Sequence, residues 1–190
     1  MNWIVVKRVF RYLCGTKENE IFYQGKPETD RKISVHGFFD SDWDGYLDFR
    51  RSTNGYVFKL FNGVVSWMSK RQSGIALSTI EAEYMAITHA RKEAIWLKRL
   101  CYEIGFKQQS FRLDCDNQTA IFLENNLVYH SMKNHIDVQY HFVRKMVENY
   151  KMLLEKVDTL KNVVDSLTKS VSTEKFTWCR EKMGLFSLTK

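Results

Sequence analysis

From residue 77 to residue 105 the apolar positions recur every three or four residues, the period of one face of an α-helix. Stepped at about 100° per residue, Glu83, Ile87, Ala90, Ala94, Leu97, Cys101 and Ile104 fall on a single stripe, and only the first of them is polar. Glu83 therefore faces where a core belongs, whereas Glu81, rotated away by about 200°, falls on the solvent side. A carboxylate against a packed face is costly unless a cation or strong donors neutralise it. Glu83 is thus either a salt-bridged residue on the rim of the core or part of a site. Ser78 or Thr79 caps the start of this helix.

Ahead of the helix, apolar residues at 3, 6, 9, 10 and 13 predict a short amphipathic helix ending near Gly15, an appendage to the main domain. Residues 17–32, rich in charge and holding Pro27, predict a short strand at 21–23 and then a linker. Residues 33–39, 56–61 and 64–69 read as strands, and Asn62-Gly63 is the preferred dipeptide of a tight hairpin. Residues 110–115 alternate, which buries Phe111, Leu113 and Cys115 and turns Arg112 and Asp114 to the other face. Short helices at 117–125 and 165–169, an amphipathic helix at 135–148, a fifth strand at 152–157, a helix start at Asp158-Thr159 and a last surface helix over 173–184 complete the chain. Three strands, a helix, a strand, helices and a strand predict an α/β fold: a mixed five-stranded sheet, with three antiparallel strands and then parallel crossovers, flanked by helices. Trp67, Trp96 and Trp178 read as core.

At 190 residues with 44% hydrophobic and 14% aromatic content, the chain has ample material for a core. No apolar run approaches the roughly 20 residues that span a bilayer, and no signal peptide is evident. The four cysteines are far apart, without a Cys-x-x-Cys pair, which predicts a reduced intracellular protein lacking structural zinc. A net charge of +7 admits a polyanionic partner. The sequon at Asn117-Gln118-Thr119 is set aside for such a chain, and His130, His135 and His141 read as packing or surface residues rather than ligands.

The acids then form a pattern. Asp40 ends the first main strand, Glu83 lies in the first turns of the long helix, Asp116 follows the fourth strand and Asp165 opens the helix after the fifth. Strand ends on one side of a sheet are neighbours in space, and clustered carboxylates call for hard divalent cations. Two Mg²⁺ ions about 3.5–4 Å apart suit phosphoryl transfer. Asp42 shares the parity of Asp40 and is an alternative ligand.

The segments FFDSDWDG, RRSTNGYVF, VVSWMSKRQSGIALSTIEAEYMA, EAIWLKRL, LDCDNQTAI, NHIDVQYHFVRK and VVDSLTK, in this order, resemble the ribonuclease H domain of copia-type LTR retrotransposon polyproteins. Residues 3–15 look like the stretch joining reverse transcriptase to that domain, so the resemblance implies a piece of a longer polyprotein. It divides the chain into an N-terminal connection at 1–32, a ribonuclease H domain at 33–170 and a C-terminal helical extension at 171–190. It implies hydrolysis of the RNA strand of RNA–DNA hybrids, with Asp40, Glu83, Asp116 and Asp165 holding two Mg²⁺ or Mn²⁺ ions. Ser78, Thr79, Asn117 and Gln118 match positions of substrate contacts, and Lys70, Arg71, Arg50 and Arg51 are candidates for phosphates. The implied partners are the hybrid and the reverse transcriptase domain of the same polyprotein, and the implied compartment is intracellular, cytoplasmic with the retrotransposon particle and also nuclear.

Two departures bear on activity. Met132-Lys133-Asn134 stands where relatives carry an Arg-Thr-Lys-like run, and Val164 where they carry alanine beside the last Asp. The first weakens phosphate binding and the second crowds Asp165. The alternative is a weakly active or inactive domesticated copy that binds nucleic acid or serves as a scaffold, against which the complete set of acids argues. A transposase or integrase core needs a late glutamate that is not evident here.

Overall fold

A computed structural model describes residues 3–24, 35–43, 51–106, 111–118 and 152–187. The expected helices at 117–125 and 135–148, the three histidines, Arg50 and the Met132-Lys133-Asn134 departure lie largely or wholly outside them. Helix α1 (Trp3–Gly15) leads to strand β1 (Asn19–Ile21), followed by β2 (His36–Asp42), β3 (Thr53–Leu60) and β4 (Gly63–Arg71). Then come α2 (Thr79–Glu103), β5 (Phe111–Cys115), β6 (Met152–Lys156) and a 3₁₀ turn (Thr159–Lys161). The short α3 (Asp165–Thr168), α4 (Thr173–Lys182) and β7 (Leu185–Ser187) close the order. The five-stranded sheet runs β4-β3-β2-β5-β6. Its first three strands pair antiparallel and β2-β5-β6 pair parallel, as the element order predicts.

Helix α2 covers one face of the sheet. Ser78 caps it by accepting from the Glu81 N–H at 3.2 Å, while Glu81 accepts from the Leu77 N–H at 2.8 Å. Gly105, at φ +88°, ends it, with the Phe106 and Gly105 N–H groups returning to the Cys101 and Tyr102 carbonyls. Ile87, Ala90, Ala94, Leu97 and Cys101 pack on Phe39, Tyr56, Phe58, Phe111 and Leu113. Ile104, the last residue of the expected stripe, is exposed because the helix has ended there.

The second face carries its own core. Phe38, Val57 and Val64 pack on Val163, Val164, Cys179 and Met183, so the expected surface helix is in fact a covering layer. That helix also stops at Lys182, and Leu185–Ser187 pairs antiparallel with β1. Residues 22–24 continue this clasp onto the β3–β4 hairpin, where the Gln24 N–H donates to Phe61 O at 2.8 Å and Tyr23 Oη to Val64 O at 2.8 Å.

Three further expectations are corrected. The hairpin turn is Phe61-Asn62, both at positive φ, and not Asn62-Gly63. Gly63 already belongs to β4, and its lack of a side chain serves close approach, since a Cβ there would lie 2.6 Å from the Tyr23 ring. Trp67 and Trp96 are exposed, at 61% and 55%, and only Trp178 packs on a core cluster. Asp114 faces away from the α2 core as expected, yet it is buried, because His36 Nε2 at 2.9 Å and Arg112 Nε at 2.7 Å close over it. Those two partners outweigh burial and hold its carboxyl below the usual range.

Gly55 lets α3 approach the sheet. A Cβ there would come 2.6 Å from Val164 Cγ1 and 2.7 Å from Thr168 Cγ2. The bulk of Val164 is therefore absorbed over a residue with no side chain. Gly55→Ala is expected to destabilise the protein by about 1–3 kcal/mol, a thermal melt several degrees lower. An unchanged melt would mean that α3 is not packed this tightly. No helix among the described residues is long and apolar enough to cross a membrane.

Candidate metal centre

Three of the acids meet at one place, and Glu83 approaches them from the opposite face of the sheet without joining their group. Alternation along β2 turns Phe39 toward α2 and Asp40 toward α3. The parallel register pairs Phe38 with Asp114, so two residues farther on Asp40 comes level with Asp116, just past the end of β5. Asp165 is the first residue of α3. Buried Asn162 secures its approach, donating from Nδ2 to Phe39 O at 3.2 Å and accepting from the Val164 N–H at 3.2 Å. One carboxylate oxygen from each of Asp40, Asp116 and Asp165 lies within 4.8 Å of the others. Asp42 is not in this group; it lies farther along β2 and is partly exposed.

Glu83 arrives from the opposite face. Buried Gln72 fixes the start of α2 to the sheet, donating from Nε2 to Ala82 O at 3.0 Å and to Asn54 Oδ1. The Ser41 N–H lies 3.4 Å from Glu83 Oε1, while Oε2 is buried without a hydrogen-bond partner. Burial, with the charges of Asp40 and Asp116 adding to it, pushes the Glu83 carboxyl up to about 8. Burial also raises Asp40, partly offset by the hydrogen bond from Thr168 Oγ1 and by Lys169. The salt-bridged alternative for Glu83 therefore finds no support among the described residues.

Two ammonium groups face the acids. Lys169 Nζ lies 2.7 Å from Asp165 Oδ1 and 3.6 Å from Asp40 Oδ2. Lys175 Nζ lies 3.1 Å from Asp165 Oδ2. Burial by itself lowers the Lys169 ammonium, but Asp165, Asp40 and Asp116 outweigh it and hold it above its ordinary value. A cation already sits between the carboxylates, and the donors are hard oxygens, one of them unpaired. This set fits a divalent metal ion such as Mg²⁺ or Mn²⁺. Lys169→Gln is expected to bind Mn²⁺ several-fold more tightly, because no ammonium has to leave. Weaker binding in calorimetry would show that Lys169 does not compete with metal.

Of the expected substrate residues, Ser78 uses its hydroxyl oxygen as the helix cap and Thr79 is exposed. Asn117 and Gln118 follow Asp116 directly, and Gln118 Oε1 accepts from Lys156 Nζ at 3.0 Å. Arg51, Lys70 and Arg71 are exposed. Thr168, Lys169, Lys175, Gln72 and Asn162 also support the acids and their elements, and the sequence pattern does not single them out. Only Lys169 carries a local signal, four residues after Asp165 and so one helical turn away.

No family model matches the chain. It is 41% identical over 186 residues, 98% of its length, to the retrovirus-related Pol polyprotein from transposon TNT 1-94 of Nicotiana tabacum. It is 36% identical over 188 residues to that from transposon RE2 of Arabidopsis thaliana, again across 98% of its length. The chain spans only 14% and 13% of these two relatives. Among solved structures, LC11 ribonuclease H1, described in complex with an RNA/DNA hybrid, superposes with a TM-score of 0.53 at 14% identity. That match covers 70% of this chain and 93% of the other, and it shows a shared ribonuclease H-like fold. With relatives along nearly its whole length and acids able to hold a metal ion assembled on this sheet, the chain is a ribonuclease H-like domain closely related to the Pol polyproteins of copia-type LTR retrotransposons.

Proposed function

We propose that this chain hydrolyses the RNA strand of RNA–DNA hybrids during retrotransposon reverse transcription. The observation that carries this reading is the convergence of Asp40, Asp116 and Asp165, within 4.8 Å, in a chain 41% identical to a Pol polyprotein. The hybrid named for LC11 ribonuclease H1 supports the choice of substrate.

Asp40, Glu83, Asp116 and Asp165 would hold two Mg²⁺ ions, with Mn²⁺ as a substitute; when bound, they supply an activated water and stabilise the leaving oxygen. The chain's own residues pre-set the carboxylates. Thr168 fixes Asp40, the Ser41 N–H faces Glu83, and the lysines face Asp165. Hybrids are recognised through 2′-hydroxyls across a shallow minor groove. Ser78, Thr79, Asn117 and Gln118 are the proposed contacts there. The Ser78 oxygen serves as the cap, and a hydroxyl that accepts one hydrogen bond can still donate another.

The polymerase domain of the same polyprotein is the proposed neighbour of α1, whose Trp3, Ile4, Phe10 and Leu13 are exposed. The proposed setting is intracellular, in cytoplasmic particles and the nucleus. The proposed domain at 33–170 works together with α4, since Cys179 and Met183 complete its second core.

The test is incubation of the full chain with a labelled hybrid in Mg²⁺, in Mn²⁺ and in EDTA. Cleavage of the RNA strand alone, lost in EDTA, is the expected result. Hybrid binding with no cleavage in either metal would replace the enzyme with a nucleic-acid-binding scaffold.

A further inference from the structure

The two oxygens of Asp165 take different cations, and the difference assigns them different tasks. Oδ1 lies 2.7 Å from Lys169 Nζ, which also approaches Asp40 Oδ2 at 3.6 Å. This ammonium sits between two of the gathered acids, its contacts there are carboxylates, and its side chain is 36% exposed. Oδ2 lies 3.1 Å from Lys175 Nζ, whose surroundings are unlike those of Lys169. Lys175 Nζ donates to Leu160 O at 2.6 Å and to Thr159 O at 3.5 Å, both carbonyls of the 3₁₀ turn. It also lies over the Trp178 ring, 4.5 Å from the centroid, and its side chain is only 18% exposed. Backbone carbonyls and an aromatic face hold this cation in place whether or not Asp165 is present.

The geometry points to Lys175 as a positioning residue of the metal centre: from α4 it pins the outer oxygen of Asp165 and so aims the inner one at Asp40 and Asp116. This rests on the metal-dependent reading of the site given above. With a divalent ion held by Asp40, Asp116 and Asp165, Lys169 would no longer occupy Oδ1, and Lys175 would be the cation left to orient Asp165. The second carboxylate oxygen of a metal ligand works in this way when a fixed donor occupies it, and loss of such a donor costs about 10–100-fold in metal affinity. The C-terminal helix is thereby part of the site, through a lysine ten residues along the chain from the acid that it orients.

The bland alternative is that Lys175 merely ties α4 to the 3₁₀ turn through its carbonyl contacts. Mn²⁺ binding to the full chain, measured by calorimetry without nucleic acid, separates the two. Wild type, Lys175→Gln, Lys175→Arg, Asp165→Asn and the Lys175→Gln/Asp165→Asn pair are compared, with circular dichroism to establish folding. The expected result is a roughly tenfold weaker Mn²⁺ affinity in Lys175→Gln, substantial recovery in Lys175→Arg, and no added loss when Lys175→Gln is placed on Asp165→Asn. On the hybrid, kcat falls more than KM rises.

Mn²⁺ affinity in folded Lys175→Gln equal to wild type, or the same loss with and without Asp165, would overturn the assignment and leave the nuclease reading standing. Failure of the wild type itself to bind Mn²⁺ would overturn both. If Lys175→Gln does not fold, Lys175→Met, which keeps the aliphatic stem against Trp178, takes its place with the same expectations. Should neither variant fold while Lys175→Arg binds Mn²⁺ as wild type does, Lys175 is a structural tie and the assignment falls.

Discussion

Asp116→Asn is expected to slow RNA-strand cleavage by on the order of 10³-fold while the melting temperature and hybrid affinity stay close to those of the unchanged chain. Asp40, Glu83 and Asp165 are 2%, 5% and 3% exposed, so changing any of them also disturbs packing. Asp116 is only partly buried, at the open end of β5. An amide there removes the charge of a proposed metal ligand without leaving a hole or an uncompensated ion. Single-turnover cleavage of a labelled hybrid, run beside a binding isotherm, reads the two effects separately. Cleavage within tenfold of wild type would remove Asp116 from the machinery.

The second large effect is on stability, with a sign set by burial. The Glu83 carboxyl, at about 8 in the folded chain against 4.5 for the ordinary group, is neutral when folded and charged when unfolded across the range between. A raised folded-state value gives a contribution that is complete below the unfolded value and is lost as pH rises through the folded one. At neutral pH the metal-free protein is therefore less stable than at pH 4 by about 3 kcal/mol on this account alone. Glu83→Gln removes the titration. Its metal-free melting temperature should exceed that of wild type by several degrees at pH 8, with little difference at pH 4, while Mn²⁺ binding and cleavage are lost. Divalent metal should restore stability to wild type at pH 8 and release a proton on binding. A wild-type melt that is flat from pH 4 to 8 in EDTA would show that Glu83 does not carry this burden.

What could be read in advance was what depends on phase. The 100° step along α2 singled out Glu83 before any resemblance entered, and alternation along β5 placed Phe111, Leu113 and Cys115 in the core. Parity put Asp114 on the correct face beside Arg112, two residues back on the same strand, but did not show His36, which closes over it from a neighbouring strand. The hairpin was misplaced by one residue because Gly63 looked like a turn glycine, when its constraint comes from Tyr23, distant in sequence. Trp67 and Trp96 went wrong where bulk was allowed to outrank phase. Trp96 lies off the stripe of α2, and the helix turns it outward. Lys175 and β7 were invisible for a common reason. Their partners, Asp165 with the 3₁₀ turn and β1, are fixed by tertiary approach rather than by any local period.

The short pairing of β1 with β7 also has a dynamic consequence. It is a separate two-stranded sheet of three-residue strands, with Phe22 and Phe186 meeting edge-on at 5.9 Å and both exposed. So small and wet a unit opens at far lower free energy than the five-stranded core. Its opening loosens α1, which also meets α4 where the Tyr12 and Phe176 rings lie 6.2 Å apart, while the acids stay assembled, since none of them is held by that pair. Amide hydrogens at Ile21 and Leu185 should exchange orders of magnitude faster than those of Phe39 and Leu113. Equal protection would mean that the two sheets rise and fall as one cooperative unit. With unequal protection, β1 can come away from β7 without unfolding the sheet that carries the acids.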